Sequence, residues 1–313
     1  MAQSPLKEEI RMLVDFILHS LEEGFLFAIM ALGVYISFRV LNFPDLTVDG
    51  SYPLGAAVAS VMILRGMNPF LTLLFSALAG ALAGLLTGSL HTKLKITPLL
   101  AGILTMIALY SINLRIMGRP NISLSEYLGH KTVVTILKGI NLPIPTEYFI
   151  PLVFFAIVMI LKLLLDLFLH TEIGLAIRAT GDNEQMIRAE GVNTDTTKLI
   201  GLSLSNALVA LSGGLFAQYQ GFADVGMGIG MIVAGLASVI IGEALIRGRT
   251  VGLMTLGAIV GAIIYRLAIA MALKWGYNFG FRPTDLKLLT ALLVIVILSF
   301  PYLRAKVKKV EES

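Results

Sequence analysis

The chain has 313 residues, of which 57% are hydrophobic and 14% are charged, whereas a soluble domain is about 45–50% apolar and about 25% charged. Its formal net charge of +4 comes from 24 basic and 20 acidic residues that are spread over short loops instead of forming one basic face. This composition excludes an ordinary soluble enzyme and a nucleic-acid-binding domain, and the lack of cysteine excludes disulfide and thiolate chemistry.

Residues 1–21 are predicted to form an amphipathic N-terminal helix. Glu8, Glu9, Arg11 and Asp15 interrupt its apolar positions, so the segment lacks the continuous apolar core of a signal peptide. We expect it to lie along the membrane surface before the first span.

The apolar runs that follow predict an all-α polytopic membrane helical bundle. A spanning helix needs about 20 apolar residues, and the sequence indicates about nine spans, within a range of eight to ten. They form one transmembrane domain over residues 22–303, which a tail at 304–313 follows. Bounded by charge, glycine or proline, the nine runs lie at 22–39, 51–64, 69–90, 97–117, 147–169, 198–219, 229–246, 250–273 and 284–303.

Positive charge predicts the orientation of the bundle. The four basic residues of the tail favour a cytoplasmic C-terminus, and nine spans then place the N-terminus outside. A tenth span or a re-entrant segment near 40–66 would reverse the side of the N-terminus. The four tail residues are Arg304, Lys306, Lys308 and Lys309.

Two predicted spans carry a face of small residues, which lets helix backbones approach closely in lipid. The interpretation favoured here is packing within the bundle, and the alternative is an interface between subunits. The residues are Ser76, Gly80, Gly84 and Gly88 on one span, and Ser203, Ala207, Ala210, Gly214 and Ala217 on the other.

An unusual segment at 42–55 combines two prolines, two aspartates and two glycines between apolar runs. Ordinary helix cannot continue through it, and irregular backbone at membrane depth is tolerated only inside protein or beside a water-filled cavity. Asp49 or Ser51 could cap the helix that follows, and a capping or turn role is the alternative for both aspartates. The functional interpretation is a translocation path formed by Asp45, Thr47, Asp49, Ser51 and Asn206.

A second interrupted segment, at 224–230, precedes the short run 229–246. The two short runs stand second in each half of the chain, and the halves run in opposite senses. Interrupted helices at matching positions of inverted halves are the best sequence pointer to a transporter's substrate path. Further along, Arg266 is expected near the outer interface, where it can reach the headgroups or meet Asp285.

The longest polar stretch on the predicted inner side is the loop 171–197. Asp182 with Gln185 resembles a capping box, and Gly191 is typical of a C-terminal stop. The helix between them has only about two turns, which is too short to be stable alone in water. It is either a connector resting on its own bundle or a docking element, and Asn193, Thr194 or Asp195 can cap the next span.

Three motifs carry a resemblance to a known family. Residues 174–180 (GLAIRAT) and 189–193 (AEGVN) resemble the coupling segment of ABC importer permeases of the branched-chain amino acid and ribose group. Residues 43–51 (FPDLTVDGS) resemble the corresponding segment of the permeases that accompany tryptophan/tyrosine-type binding proteins. The resemblance covers about residues 22–303.

The resemblance implies a type II ABC importer-like permease in a bacterial or archaeal plasma membrane. Its partners would be cytoplasmic ABC ATPase subunits, an extracytoplasmic substrate-binding protein and a second permease subunit. A homodimer of this chain and a heterodimer with a related permease are both compatible with the resemblance. The substrate would be a small solute, with an amino acid and in particular an aromatic one favoured by the subgroup, and sugar or peptide left open. The permease would work by alternating access and would not be an enzyme.

The resemblance also implies that the short loop helix docks in the ATPase. Met186 and Ile187 would be its apolar contacts, and the charged residues would set the register. No cofactor is expected in this chain, since it has no G-x-x-x-x-G-K-[ST] loop and its four histidines show no metal-ligand spacing; ATP and Mg belong to the partner. The predicted ATPase contacts are Arg178, Asp182, Glu184, Met186, Ile187, Arg188 and Glu190.

Two other functions are alternatives to an ABC importer permease. A stand-alone ion-coupled carrier or channel would also explain the broken helices and Asp49, but it does not explain a capped loop helix without a core of its own. An intramembrane enzyme would need paired catalytic groups at depth, and no convincing pair is found.

Overall fold

The computed structural model describes residues 5–124, 129–139, 145–246, 248 and 250–276, and between 288 and 299 it describes 288, 290–292, 294–296 and 299. Two short strands, β1 (Asn121–Ser123) and β2 (Phe222–Asp224), pair antiparallel with Asn121 opposite Asp224. All other regular structure within these described residues is helical. The α-helices are α1 (Pro5–Val34), α2 (Val48–Leu64), α3 (Pro69–Thr92), α4 (Pro98–Met117), α5 (Val133–Lys138), α6 (Thr146–Leu169), α7 (Glu172–Asp182), α8 (Glu184–Ala189), α9 (Thr194–Gln220), α10 (Met231–Leu245) and α11 (Val251–Gly276).

The predicted polytopic membrane bundle is confirmed. Within the described residues, seven helices are long and apolar enough to cross a membrane, and α2 is a shorter apolar helix. These eight correspond to the first eight predicted spans. The ninth, at 284–303, lies mostly outside the described residues, and the tail at 304–313 lies wholly outside them.

Helices α1 and α9 form the centre of the bundle. Their most apolar stretches are 78% and 67% buried, whereas those of α3, α4 and α6 are only 28–33% buried. Large apolar side chains such as Leu82 and Leu167, each about two-thirds exposed, cover these outer helices as lipid requires. Helix α1 is continuous through residue 21, so the predicted boundary there is not a break in the helix.

The small-residue face of α3 packs against α9. A Cβ atom on Gly84 would lie 2.1 Å from the backbone oxygen of Leu202, so only glycine permits this approach. The Ser203 hydroxyl of α9 donates to the backbone oxygen of Ala81 at 3.1 Å. Packing within the bundle is therefore what this face does.

The irregular segment predicted at 42–55 is confined to its first residues. A π-helical turn (Tyr35–Val40) continues α1, and the chain is then non-helical until α2 begins at Val48. A carboxylate oxygen of Asp45 accepts a hydrogen bond from the Thr47 N–H at 2.9 Å, which forms the turn into α2. The prediction that Asp49 or Ser51 caps α2 is wrong, because both side chains bond elsewhere.

Candidate functional site

The broken segment is held to α9 by a buried polar cluster. Asp45 is 1% exposed, and its Oδ2 accepts a hydrogen bond from Asn206 Nδ2 at 2.7 Å. The Ser51 hydroxyl donates to Asn206 Oδ1, also at 2.7 Å. One amide on α9 thus joins the non-helical residues before α2 to the first turns of α2, and buried groups so paired rigidify the segment.

Thr47 extends this cluster to α3, since its Oγ1 lies 2.6 Å from Oγ1 of Thr87. Asp45, Thr47, Ser51 and Asn206 all lie in the packed interior between α2, α3 and α9. The structure therefore brings four of the five predicted path residues together. In this conformation they pack against one another and not against open space.

Asp49, the fifth predicted path residue, caps a different helix. Its Oδ2 accepts a hydrogen bond from the Gly230 N–H at 3.0 Å and its Oδ1 accepts one from the Ile232 N–H at 2.8 Å. The capping interpretation is correct in kind, but the capped helix is α10 and not α2. A carboxylate at a helix N-terminus satisfies free N–H groups and complements the helix dipole.

The segment before α10 lines a cavity of about 370 Å³. Its walls come from α1, from the 3-10 turn at Val225–Gly228, from α10, from α11 and from residues 290 and 291, and include Phe27, Met227, Tyr265 and Arg266. Phe27 lies about 20 Å along α1 from the end of the π-helical turn, at about 1.5 Å per residue. A hydrocarbon core is about 30 Å thick, so this distance is about two-thirds of the thickness that a spanning helix crosses.

Arg266 pairs with Glu23 of α1, an interaction that sequence reasoning missed. Its guanidinium carbon also stands 4.9 Å from the ring centre of Phe27. The predicted alternative partner, Asp285, lies outside the described residues. The available signal for Glu23 was an acidic residue at the start of an apolar run, where carboxylates are rare and usually paired.

In the loop 171–197, the predicted cap is wrong by one residue. Asp182 ends α7, and the extended backbone of Asn183 separates α7 from α8. Asn183 Oδ1 then accepts a hydrogen bond from the Met186 N–H at 3.0 Å. The stop at Gly191, with φ of +89°, is confirmed, and so is the cap of α9 by Asn193.

Two of the predicted ATPase contacts, Glu184 and Arg188, also anchor α8 to α9. Glu184 accepts from Lys198 at 2.7 Å and pairs with Arg188 at 2.9 Å, and Arg188 also donates to the Thr194 hydroxyl at 2.6 Å. Burial raises the pKa of Glu184, but the hydrogen bond and charge of Lys198, with Thr194 and Arg188, outweigh it and hold the pKa below its ordinary value.

The remaining predicted contacts face outward to different degrees. Met186 is 57% exposed, Asp182 and Glu190 are also exposed, and Arg178 and Ile187 are partly buried. No residue of α8 is buried. Helix α8 therefore presents one apolar side chain among charges.

Two contacts link the 171–197 loop to the broken segment. A Cβ on Gly181 would lie 1.9 Å from the backbone oxygen of Val40, so the end of α7 packs directly on the end of the π-helical turn. The ring of Phe43 meets His91 edge-on at 5.3 Å, and His91 Nε2 lies 3.2 Å from the Lys198 Nζ that holds Glu184.

Comparison with known proteins gives one family. The family model described as "Branched-chain amino acid transport system / permease component" matches residues 16–299. The chain is 43% identical over 293 residues to the tyrosine transport system permease protein of Clostridioides difficile, with 94% of each chain covered. It is 27% identical over 257 residues to the fructose import permease protein FruF of Bifidobacterium longum, covering 81% of this chain and 68% of the relative.

A solved structure shares the fold. PsaBC from Streptococcus pneumoniae in complex with Fab matches with a TM-score of 0.53 and 14% identity, over 90% of each chain. At this identity the likeness concerns the fold alone.

Proposed function

This chain belongs to the family of branched-chain amino acid transport system permease components, and from that premise we propose that it imports an amino acid, with an aromatic one favoured. Membership makes it a multi-pass plasma-membrane permease subunit of an ABC importer and not an enzyme. ATP hydrolysis and substrate capture belong to separate ATPase and substrate-binding subunits. A stand-alone carrier or channel and an intramembrane enzyme are thereby excluded.

The identity to a tyrosine transport permease carries the substrate proposal. That relative is 43% identical over 94% of this chain, whereas the fructose permease is 27% identical over 81%. The cavity beside α10 supports the proposal chemically, because Phe27, Tyr265 and Met227 offer apolar and aromatic walls of the kind that ligand cavities use.

The path runs between the two interrupted segments. In it, Asp49 holds the start of α10, and Asp45, Thr47, Ser51 and Asn206 hold the entry into α2. The support is the burial of the cluster between helices and its hydrogen bonds, since a rigid polar cluster lets the broken segment move as one body. These residues position the path walls, and the solute passes beside them.

Two copies of this chain form the importer. Ile229, in the irregular backbone before α10, is 62% exposed. Irregular backbone at membrane depth has to be covered by protein or face water. A second copy against this region would cover it and would place the two halves of the path together.

Helix α8 docks in the ATPase. Met186 enters the partner's groove, Ile187 supports it, and Arg178, Asp182 and Glu190 set the register at the rim. Glu184 and Arg188, which also fix α8 on α9, contact the ATPase at the same rim. Movement of the ATPase then reaches the broken segment through Gly181 against Val40.

Reconstitution tests the substrate proposal. The chain is placed in proteoliposomes with its ATPase and its substrate-binding protein, and uptake of labelled L-tyrosine and of fructose is measured with ATP. ATP-dependent tyrosine uptake is expected. Fructose uptake without tyrosine, phenylalanine or tryptophan uptake would overturn it.

A further inference from the structure

Three adjoining cavities follow α1 from its first half to the start of α10. The rim cavity, of about 610 Å³, includes Glu22 and Tyr219. The middle cavity, of about 430 Å³, includes Phe16 and Lys274. The deep cavity is the 370 Å³ space that contains Phe27.

The cavities share walls in series. His19 and Glu23 line both the rim and the middle cavity. Arg266 and Ile269 line both the middle and the deep cavity. The Glu23–Arg266 ion pair therefore stands at the junctions between the first cavity and the last.

This ion pair is partly open to those cavities, with side-chain exposures of 28% for Glu23 and 15% for Arg266. Charged groups within a membrane are costly and usually mark a path or a pair. A pair that only joined α1 to α11 would need no open space on either side, and Gly24 already packs against Ile263 in that interface. The open space leaves room for a ligand beside both charges.

We propose that Glu23 and Arg266 form a binding subsite for the charged head of an α-amino acid, with its side chain in the deep cavity. The carboxylate of the solute pairs with the Arg266 guanidinium, and its ammonium pairs with the Glu23 carboxylate. Each charge of the protein then keeps an opposite partner, so no unpaired charge is left in the membrane.

The walls of the deep cavity match the rest of such a solute. Phe27, Tyr265, Met227 and Ile269 surround it with apolar and aromatic surface. An uncharged sugar would bring no charge to the ion pair and would meet a mainly apolar surface there. The inference rests on the proposed amino acid import and assigns residues to it.

Direct binding tests the subsite without selection by the binding protein. The purified permease–ATPase complex in nanodiscs is titrated with labelled L-tyrosine. Two unlabelled analogues then compete with the labelled tyrosine for the complex. L-tyrosinamide lacks the carboxylate, and 3-(4-hydroxyphenyl)propionate lacks the ammonium. Each missing charge is expected to weaken wild-type binding roughly tenfold or more.

Each variant should lose one discrimination only. The Arg266→Gln variant should bind tyrosine and tyrosinamide with about equal affinity. The Glu23→Gln variant should bind tyrosine and the propionate with about equal affinity. Arg266→Lys and Glu23→Asp keep the charges and should retain most of the discrimination if the neutral variants misfold. Arg115→Gln, an exposed arginine at the end of α4, is the matched control and should behave as wild type.

Unchanged discrimination in both neutral variants would overturn the subsite, and so would an equal loss of affinity for all three compounds. Wild-type proteoliposomes serve as the reference for the function itself. If they import no amino acid, the proposed substrate fails. If they import tyrosine while the variants discriminate as wild type, the subsite alone fails.

Discussion

The carboxylate of Asp49 caps the helix that begins beside Gly230, 181 residues later in the chain, with an oxygen–nitrogen distance of 3.0 Å. The second oxygen of Asp49 accepts from the Ile232 N–H at 2.8 Å. The first turn of α2 and the first turn of α10 are therefore fastened to each other. Any movement that re-forms the path has to move both together or break this cap.

Replacing Asp49 by Ala should weaken the junction of the two helices. Two N–H groups of α10 lose their acceptor, and loss of an N-cap costs about 0.5–2 kcal/mol. Asn keeps one acceptor oxygen, so Asp49→Asn should express normally and alter uptake kinetics with a smaller loss of thermal stability. Asp224→Asn, which affects only the local bond to the Gly226 N–H, is the control; unaltered stability and uptake in Asp49→Ala would contradict the role.

Replacing Asn206 by Ala should be more damaging. It removes the Asn206 donor from the Asp45 carboxylate, which is 1% exposed, and the acceptor of the Ser51 hydroxyl, and each unsatisfied buried group costs about 1–3 kcal/mol. Lower yield and a lower unfolding temperature are expected. Asp45→Asn in the same background should recover part of the loss because it removes the buried charge, whereas no recovery would indicate that the charge is not the cause.

Placing Asp at both 186 and 187 should abolish uptake while leaving the bundle folded. No residue of α8 is buried, so the fold tolerates the charges, but a docking groove would not. Loss of the ATPase on co-purification is the measurement. Thr196→Asp adds one negative charge, against two in the double variant, at an exposed site of α9 and should leave the complex intact; normal uptake by the double variant would refute docking through α8.

Enlarging Gly84 should separate α3 from α9. A Cβ there meets the Leu202 oxygen at 2.1 Å, and the side chain of Leu adds more volume. Gly84→Leu should lower the unfolding temperature in detergent strongly, and Gly84→Ala less. Leu82→Phe adds volume on the lipid-facing side of the same helix, where Leu82 is 66% exposed, and should be neutral. Equal stability of all three variants would mean that the α3–α9 interface accommodates a larger side chain at position 84 without loss.

Acid should release α8 from α9. The pKa of Glu184 is lowered in the folded protein relative to its ordinary 4.5, so its contribution is complete above that pH and is lost as pH falls through the lower folded value. Lys198, Arg188, Asp195 and His91 are the titratable groups around it. The hydrogen-exchange protection factor over 184–189, which is corrected for the intrinsic pH dependence of exchange, should fall in that range, and in Glu184→Gln it should be low and independent of pH. A parallel pH response in that variant would assign the effect to another group.

Much of the fold was predictable because membrane helices satisfy their backbone hydrogen bonds locally. Eight of the predicted spans correspond to described helices, and Gly191 and Asn193 end and start helices as their local chemistry indicates. The cap of α8 was misplaced by one residue because Asp182 and Asn183 are both good N-cap residues. Only the backbone at Asn183, which leaves the helical region, decides between them.

The sequence by itself determined the membrane class, the helices, the two interruptions and the family motifs, since these depend on neighbouring residues. The tertiary structure decided the partners of the charged and polar side chains. Asp49 meets Gly230, Glu184 meets Lys198, and Glu23 meets Arg266 across 243 residues. Local pattern does not encode such pairs, because helix packing sets which faces meet, and each buried polar group then bonds whatever that packing brings within reach.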